Sequence, residues 1–338
     1  MKRIGIICPS EIAFRRFLPA LKEAGCFEYA GVAIASKEEF VGATDEILAK
    51  ERAKAQTFVD SYGGKLFEGY KTLILSDNVD AIYLPLPPGL HYKWAKEALS
   101  VGKHILCEKP CTTALSTTED LLKDAEVKGL AAHENYMFAF HDQLKAVDDI
   151  VNSGEIGDVR LYRISFGFPM RAQNDFRYNK ALGGGALLDC GGYTFKYASM
   201  LLGPTAKMKY AQSNNIAGFN VDMYGSAALV NDEGVTAQVA FGMDHNYKCE
   251  LEVWGSKGTI YTNRILTAPA SFVPEVIIRK GNEEEKRNLP ADDAFKKSIL
   301  HFSKCIENAE SRKANYETLL RQARLVEQFK QLANIDVK

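Results

Sequence analysis

The sequence predicts an α/β protein: a doubly wound parallel sheet in the N-terminal part, followed by an α+β domain with a large, mostly antiparallel, open-faced sheet. Its 338 residues are enough for about two domains. Short apolar runs alternate with helical stretches over the first 125 or so residues, which indicates parallel strands covered on both faces. After residue 150, strand-like runs follow one another closely, so the second sheet is expected to be largely antiparallel.

The N-terminal elements follow from the positions of apolar residues and of glycine and proline stops. Residues 4–8 (IGIIC) form a short buried strand, and the helical stretch after it ends at Gly25. A polar helical stretch closes on Gly63 and Gly64, and prolines stop the strand at 79–87. The remaining predicted elements are the strands 30–36 and 103–110 and the helices 91–102 and 117–129.

Hairpin signals organise the C-terminal part. NDEG at 231–234 and GSKG at 255–258 each separate two strand-like runs. Their alternation of apolar and polar residues indicates a sheet with one face covered by helices and the other face open or paired. The strand-like runs are 159–170, 206–215, 222–231, 234–243, 248–262 and 274–281, and amphipathic helices at 295–308 and 315–334 close the chain.

Composition and charge exclude several classes of protein. Hydrophobic residues make up 46% and charged residues 25% of the chain, which is the balance of an ordered globular protein. The net charge of −1 gives no electrostatic support for binding to nucleic acid or to an anionic membrane. No apolar run is long enough to span a membrane, and the one at the N terminus is too short for a signal peptide.

Cysteine usage favours a reducing compartment. Seven cysteines without a secretory signal are best explained as free thiols in the cytoplasm. Cys107 and Cys111 are close in sequence, but no second Cys/His pair with zinc-like spacing accompanies them, so no metal site is expected.

The turn after the first strand is a candidate phosphate-binding site. In a doubly wound sheet, backbone N–H groups at the start of the first helix bind the pyrophosphate of a dinucleotide. The residues here are Cys8, Pro9, Ser10, Glu11 and Ile12, where small side chains permit close approach but the usual glycines are missing. The alternative is that these residues form only a tight strand–helix turn.

Ser36 and Lys37, at the end of the second strand, predict which cofactor binds. An acidic residue there would bind the free 2′-hydroxyl group of NAD, whereas a hydroxyl group and a cation suit the 2′-phosphate of NADP. NADP is therefore preferred over NAD. The alternative is that Lys37 is a solvated loop residue.

Two further segments carry reactive side chains. KHILCEKPCTT ends a parallel strand with Glu108, Lys109 and Pro110, at the edge of the sheet where ligands collect. Lys109 can hold a positive charge beside a reacting oxygen there. In LGGGALLDCGGY, Asp189 and Tyr193 are four residues apart at the start of an apolar helix, so both lie on one face. The alternative is that Asp189 caps the helix and Tyr193 is a core phenol.

Three segments resemble the Gfo/Idh/MocA family, which is named for glucose–fructose oxidoreductase and inositol dehydrogenase. VDAIYLPLPPGLHYKWAKEALSVGKHILCEKP is similar to the family block that ends in Glu-Lys-Pro, and NDFRYNKALGGGALLDCGGY is similar to its second block. ELEVWGSKGTI resembles a hairpin of the family's C-terminal sheet. The blocks occur in the family's order, and the similarity covers nearly the whole chain.

The resemblance implies a dinucleotide-binding Rossmann domain at 1–125 and a substrate-binding and oligomerisation domain at 126–338. It implies a homodimeric or homotetrameric NAD(P)-dependent oxidoreductase that acts on a sugar, polyol or keto-sugar, which can be nucleotide-linked. Lys109 matches the family's catalytic lysine, Asp189 its motif aspartate, and Tyr193 a position that is histidine in inositol-dehydrogenase-like members. Relatives with tyrosine there often favour NADP.

The resemblance also indicates which residues surround the ligands. Pro88 stands where the family usually has asparagine, and Ala139 where it commonly has arginine. Cofactor contacts beyond those named above are expected from Pro85, Leu86, Pro87, His91, Glu108 and Lys109. Candidates for the substrate pocket are Tyr136, Phe138, Phe168 and Arg177, and each is equally plausible as a packing residue.

These residues suggest a mechanism. We expect hydride transfer between the nicotinamide and a carbinol or carbonyl carbon, while Tyr193 exchanges a proton with the substrate oxygen. A free phenol has a pKa near 10, so a nearby Lys109 would help Tyr193 to act at neutral pH, or Lys109 could itself be the proton donor. Asp189 would orient the substrate hydroxyl group or the lysine. The alternative function, suggested by the missing glycines, is a non-catalytic NADP-binding sensor or regulatory subunit.

Overall fold

The computed structural model describes residues 1–40 and 42–335, and it divides into two compact units. The first unit comprises Met1–Asn135 and Phe295–Leu320, and the second comprises Tyr136–Ala294 and the chain from Arg321 onward. From the sequence, we place the boundary between residues 125 and 126 and assign all C-terminal residues to the second domain. Residues 41 and 336–338 of those predicted domains lie outside the described residues.

Parallel strands form the sheet of the first unit. Their spatial order reverses beside the first strand, and this places the carboxyl ends of two neighbouring strands at the crevice where α/β sheets bind ligands. The strands are β1 (Lys2–Ile7), β2 (Phe27–Ile34), β3 (Lys65–Glu68), β4 (Ala81–Leu84), β5 (His104–Cys107) and β6 (Ala132–Glu134). They are arranged β3–β2–β1–β4–β5–β6, and every pairing is parallel.

Helices connect these strands. A π-helical turn at Ala13–Phe17 leads into the first α-helix. Pro88 opens the fourth, at a position where its missing N–H costs no hydrogen bond. The helices are α1 (Leu18–Ala24), α2 (Asp45–Tyr62), α3 (Tyr70–Ile74), α4 (Pro88–Ser100) and α5 (Leu115–Val127).

An eight-stranded sheet dominates the second unit. Its strands are β7 (Val159–Gly167), β8 (Lys207–Asn214), β9 (Tyr224–Val230), β10 (Thr236–Gly242), β11 (Lys248–Gly255), β12 (Thr259–Asn263), β13 (Glu275–Lys280) and β14 (Glu283–Asn288). They are arranged β14–β13–β12–β11–β7–β10–β9–β8. β7 and β10 pair in parallel, and all other neighbours pair antiparallel.

Two helices, α6 (Asp142–Asn152) and α7 (Gly192–Leu202), belong to the second unit, and α7 packs on β7 and β10. The opposite face of the sheet exposes large side chains, among them Tyr210 and Trp254. Among residues 1–40 and 42–335, this face of the sheet is therefore open.

The chain ends with α8 (Ala294–Glu307) and α9 (Ala309–Leu332), and α9 passes from the first unit into the second. In the first unit, the Phe302 ring of α8 stacks on Phe27 with 5.6 Å between centroids. In the second, Phe329 of α9 packs on Phe195 at 5.3 Å. These buried aromatic contacts explain why the C-terminal helices divide between the two units.

The predicted fold class is confirmed: a doubly wound parallel sheet is followed by an α+β unit with a large, mostly antiparallel sheet. Both predicted hairpins occur, since β9 pairs with β10 and β11 with β12. The sequence pattern does not predict β3, α3, β6, α6 or β14.

All seven cysteines are free thiols. Among residues 1–40 and 42–335, no helix is long and apolar enough to cross a bilayer. The same residues contain no group of three or more His, Cys, Asp or Glu side chains that could hold a metal ion.

Candidate active site

The turn after β1 is built around Cys8, whose backbone is left-handed with φ of 80°. Glycine adopts this conformation freely, and here it lets the Ser10 N–H donate to the Cys8 carbonyl at 2.9 Å. Ser10 Oγ in turn accepts from the Ala13 N–H at 3.2 Å. Within the described residues the N–H groups of Glu11 and Ile12 have no acceptor, so the turn offers two backbone donors at a helix N-terminus.

Two side chains of this turn limit what it can bind. Pro9 is buried and has no N–H to donate. The exposed Glu11 carboxylate lies 3.5 Å from Arg15, which partly offsets a charge that would repel phosphate. Burial raises the pKa of the Cys8 thiol to about 12, so this side chain stays neutral.

Ser36 and Lys37 line a pocket of about 420 Å³ at the carboxyl end of β2. The pocket also contains Arg52 from α2, a cation that the sequence analysis missed because α2 is charged along its whole length. The other lining residues are Ile34, Ala35, Asp45, Leu48, Ala49 and Glu68. The pocket is therefore lined by the hydroxyl group of Ser36, the ammonium group of Lys37 and the guanidinium group of Arg52.

His91 joins the turns that follow β4 and β5. Its side chain is completely buried, with Nδ1 2.8 Å from the Pro110 carbonyl oxygen and Nε2 2.7 Å from that of Leu86. Burial lowers the pKa of His91. Pro85 and Leu86 are also buried, whereas Pro87 is partly exposed. Both ring nitrogens lie near backbone carbonyl oxygens, and the neutral imidazole donates to one of them at a time, which ties the two turns together. The expected place of His91 beside the cofactor stays a prediction.

Glu108 belongs to a buried hydrogen-bond network. Its Oε1 accepts from the Tyr83 hydroxyl group and from Asn135 Nδ2, both at 2.7 Å. Asn135 Oδ1 accepts from Ser298 Oγ at 2.8 Å, and Ser298 Oγ lies 2.9 Å from His133 Nε2. Burial raises the pKa of Glu108 although the hydrogen bonds oppose it. This carboxyl group is therefore an internal anchor of the segment after β5, and its predicted contact with the cofactor stays a prediction.

Lys109 follows this anchor and is partly exposed at the end of β5. On its other side, the Cys111 N–H donates to Glu134 Oε1 at 2.8 Å. The segment that carries Lys109 is thus fixed at both ends. It presents a cation at the carboxyl edge of the parallel sheet, as its sequence position predicts.

In the second unit, Arg177 and Asp189 bind each other. Arg177 Nε donates to Asp189 Oδ2 at 2.7 Å, and Nη1 donates to Asp175 Oδ1 at 3.1 Å. Burial opposes the charge of Arg177, but the two carboxylates more than offset it and raise its pKa. Arg177 and Asp189 are predicted as separate site residues, and in the structure they form an ion pair.

The glycine loop before Asp189 is held by Asp222, whose Oδ2 accepts from the Leu187 N–H at 2.6 Å. A Cβ atom on Gly185 would lie 2.2 Å from Asp222 Oδ1, and the φ of Gly185 is 117°, so only glycine fits. Burial raises the pKa of Asp222 to about 6. The loop leads into a π-helical turn at Leu187–Gly191 that carries Asp189 and continues into α7.

Aromatic rings surround Tyr193 at the start of α7. Their centroids lie 5.0 Å (Tyr136), 5.3 Å (Phe166) and 5.7 Å (Phe138) from that of Tyr193. Tyr193 is 9% exposed, whereas Tyr136 and Phe138 are each 1% exposed. Tyr136 and Phe138 therefore pack against the phenol and fix its orientation, and Phe166 does the same without having been predicted.

Two other side chains of the second unit, Phe168 and Lys196, also contact aromatic rings. Phe168 lies just after β7, with its ring 6.0 Å from Phe166 and 5.2 Å from the Arg171 guanidinium carbon. Lys196 is not among the predicted site residues; it is 7% exposed, and its Nζ lies 5.8 Å from the centroid of the Tyr136 ring. A signal was present, since Lys196 is the one charged residue in the sequence of α7.

Two family profiles match the chain. Residues 4–136 match the oxidoreductase family with an NAD-binding Rossmann fold, and residues 144–261 match the Gfo/Idh/MocA C-terminal domain. The chain belongs to this family of oxidoreductases.

Several relatives that share one enzyme name align with nearly the whole chain. The dTDP-3,4-didehydro-2,6-dideoxy-alpha-D-glucose 3-reductase of Actinomadura kijaniata is 38% identical over 325 residues, which are 96% of this chain and 93% of the relative. The Streptomyces violaceoruber enzyme of that name is 37% identical and covers 98% and 96%. A 3-ketoreductase from A. kijaniata, solved with NADP and TDP-benzene, has a TM-score of 0.90 at 38% identity and covers 98% and 97%.

The chain is thus an NAD(P)-dependent oxidoreductase that transfers hydride between a nicotinamide and a sugar, polyol or keto-sugar. The predicted family, enzyme class and cofactor class are confirmed, and the alternative of a non-catalytic sensor is set aside. The roles of the individual site residues stay predictions.

Proposed function

We propose that the chain is an NADP-dependent 3-ketoreductase whose substrate is a nucleotide-linked keto-sugar. The similarity over nearly the whole chain to enzymes named for this reaction supports the substrate class. One observation carries the reductase activity: a phenol, Tyr193, is held rigidly by three aromatic rings while keeping a small exposed fraction. A fixed proton donor of this type suits the reduction of a carbonyl group.

The residues of the first unit fit an NADP molecule. The two N–H donors of Glu11 and Ile12 suit its pyrophosphate, and the pocket with Ser36, Lys37 and Arg52 suits its 2′-phosphate. Bound there, the nicotinamide supplies the hydride.

The chain's own residues would supply the proton and the electrostatic stabilisation. Tyr193 donates a proton to the carbonyl oxygen of the substrate, and Lys109 stabilises the negative charge that develops on this oxygen or serves as a second donor. Arg177 holds Asp189, which orients a hydroxyl group of the sugar. Positioning of this kind is effective only when the groups are already rigid, which is what their hydrogen bonds and ring contacts provide.

Calorimetric titration with NADPH and NADH tests the cofactor. We expect NADPH to bind more tightly than NADH, and Lys37→Ala to weaken NADPH about threefold to tenfold because an exposed cation is lost from the 2′-phosphate. Lys50→Ala removes an exposed lysine of α2 that does not line the pocket, so this control should leave both affinities unchanged. Tighter binding of NADH would contradict the choice of cofactor.

An assay at 340 nm tests the substrate. We expect NADPH oxidation with a thymidine-diphosphate-linked 3-keto-sugar, with kcat/KM at least about tenfold above that of the unlinked keto-sugar, because binding of the nucleotide contributes to transition-state stabilisation. Equal rates with both compounds would refute the nucleotide-linked substrate while leaving the sugar reductase intact.

We also propose a cytoplasmic homodimer or homotetramer. The seven free thiols support a reducing compartment, and the open face of the eight-stranded sheet supports self-association.

A further inference from the structure

Each cation of the pocket at the end of β2 is paired with a carboxylate. Lys37 Nζ lies 2.7 Å from Asp45 Oδ1, and Arg52 forms an ion pair with Glu68. Both pairs line the same pocket. A phosphate in this pocket must therefore compete with a carboxylate for each cation.

The hydroxyl group at this site is held in the same way. Ser36 Oγ donates to Glu38 Oε2 at 2.7 Å. This hydrogen bond lowers the pKa of Glu38, so the carboxylate is ionised at neutral pH. All three groups suited to a 2′-phosphate thus have a carboxylate partner: Asp45 and Glu68 line the pocket, and Glu38 lies beside it on Ser36.

We propose that Glu38, Asp45 and Glu68 are specificity-determining residues that limit the preference for NADP and allow NAD to bind at the same place. The inference rests on the proposed function, in which the 2′-substituent of the cofactor lies in this pocket. NADP binds by exchange, its phosphate replacing the carboxylates as partner of Ser36 and the two cations.

The two cofactors place different demands on these carboxylates. A 2′-phosphate carries nearly two negative charges, so it is repelled by every carboxylate that stays in the pocket. The 2′-hydroxyl group of NAD is neutral and is a hydrogen-bond donor, for which a carboxylate is a suitable acceptor. The same three residues therefore weaken NADP and favour NAD.

The pairs are exposed, which sets the size of the effect. The side chains of Lys37 and Asp45 are 59% and 86% exposed, and exposed ion pairs of this kind are typically worth no more than about a fivefold change in an equilibrium constant. Such pairs exchange partners easily. Each carboxylate thus changes the relative affinity for NADP and NAD by only a small factor, and both cofactors can bind.

Calorimetric titration of the full chain with NADPH and NADH tests the inference, using Asp45→Asn, Glu68→Gln and Glu38→Gln. For Asp45→Asn and Glu68→Gln we expect the Kd for NADPH to fall about twofold to fivefold, with the Kd for NADH unchanged or higher. Glu38→Gln should act in the same direction with a smaller gain, because only a hydroxyl group is released. The gains should shrink in 0.5 M salt as the charges are screened.

Glu46→Gln is the matched control, since Glu46 is the neighbour of Asp45 on α2 but pairs with Lys50 at 2.7 Å outside the pocket. An unchanged NADPH-to-NADH ratio in this variant supports the inference. An equal shift in Glu46→Gln and Asp45→Asn would reduce the effect to overall charge and overturn it. Tight NADPH binding with no change in the three test variants would overturn it while leaving the proposed function intact, whereas a wild-type chain that binds neither cofactor would overturn both.

Discussion

Tyr193 is held on three sides by rings whose edges and faces meet it at 5.0–5.7 Å, and it is the first residue of α7 after the helix's opening glycine. A phenol in such a setting has little rotational freedom left to lose when a substrate binds. The ring contacts fix the position of the side chain, and the hydroxyl group supplies the chemistry. A substitution that removes only the hydroxyl group separates the two contributions.

Tyr193→Phe keeps the ring contacts and removes the proton donor. We expect kcat to fall about 10²- to 10⁴-fold, the usual contribution of a general acid, with NADPH affinity and melting temperature unchanged. Steady-state kinetics with the nucleotide-linked keto-sugar, together with NADPH titration, measures both. Tyr197→Phe is the control one helical turn later: within the described residues the buried Tyr197 hydroxyl group has no hydrogen-bond partner, so its loss should not reduce activity. Equal losses in the two variants would argue against a proton-donor role for Tyr193.

Single residues differ in how much of their role could be predicted. Lys109 is placed by its position after a parallel strand, and Tyr193 by its position at the start of an apolar helix, because both positions follow from local sequence. Arg177 and Asp189 were each identified, but their mutual hydrogen bond depends on how the glycine loop folds back. Arg52 gave no signal, since a cation on a highly charged helix has no distinguishing pattern.

The glycine loop and the π-helical turn form one element that depends on Asp222. This carboxylate accepts from the Leu187 N–H, and its Oδ1 occupies the space that a Cβ on Gly185 would need. Burial raises the pKa of Asp222 from 3.8 to about 6, so the folded chain binds the proton more tightly than the unfolded chain does. The stability contributed by the protonated group is complete below pH 4 and is lost as the pH rises through about 6.

Asp222→Asn should flatten this part of the pH dependence. We expect the wild-type chain to lose on the order of 2 kcal/mol between pH 4 and 7 through this group, and the variant to lose none of it, because an amide does not ionise. Urea unfolding at several pH values, followed by circular dichroism, measures the difference. Asp232→Asn removes an exposed carboxyl group of the same unit and should follow the wild-type curve. Parallel curves for wild type and Asp222→Asn would contradict the prediction.

Physical reasons explain why the sequence does not predict some of the strands. β3 and β6 have four and three residues, too few for any periodicity to be recognised. β14 is the run EEEKRN at the edge of its sheet, where charged side chains are tolerated because one side of the strand is unpaired. Its place is set by pairing with β13 and by Arg287, which binds Glu155 at 2.7 Å, and both are contacts between distant parts of the sequence.

At the scale of the whole molecule, the open face of the eight-stranded sheet exposes large side chains that no described element of the chain covers. Eight strands about 4.8 Å apart and about six residues long give a face of roughly 35 by 20 Å, close to the area that each subunit buries in a standard interface. Small side chains, Ser165, Ser226 and Ala240, form the row next to the larger Tyr210 and Arg163, and together they line a depression of about 370 Å³. A flat face with a shallow depression suits a second copy of itself related by a twofold axis.

Ala240→Arg tests the proposed self-association, because it places a long cation in the middle of this face. Light scattering coupled to size-exclusion chromatography should give a homodimer or homotetramer for the wild-type chain and a monomer for the variant. The exposed position of Ala240 on β10 means that the fold itself should tolerate the change, which circular dichroism can check. Ser100→Arg adds the same side chain at the exposed end of α4 and should keep the wild-type mass. A wild-type monomer would refute the oligomer, and an Ala240→Arg variant of unchanged mass would move the interface to another surface.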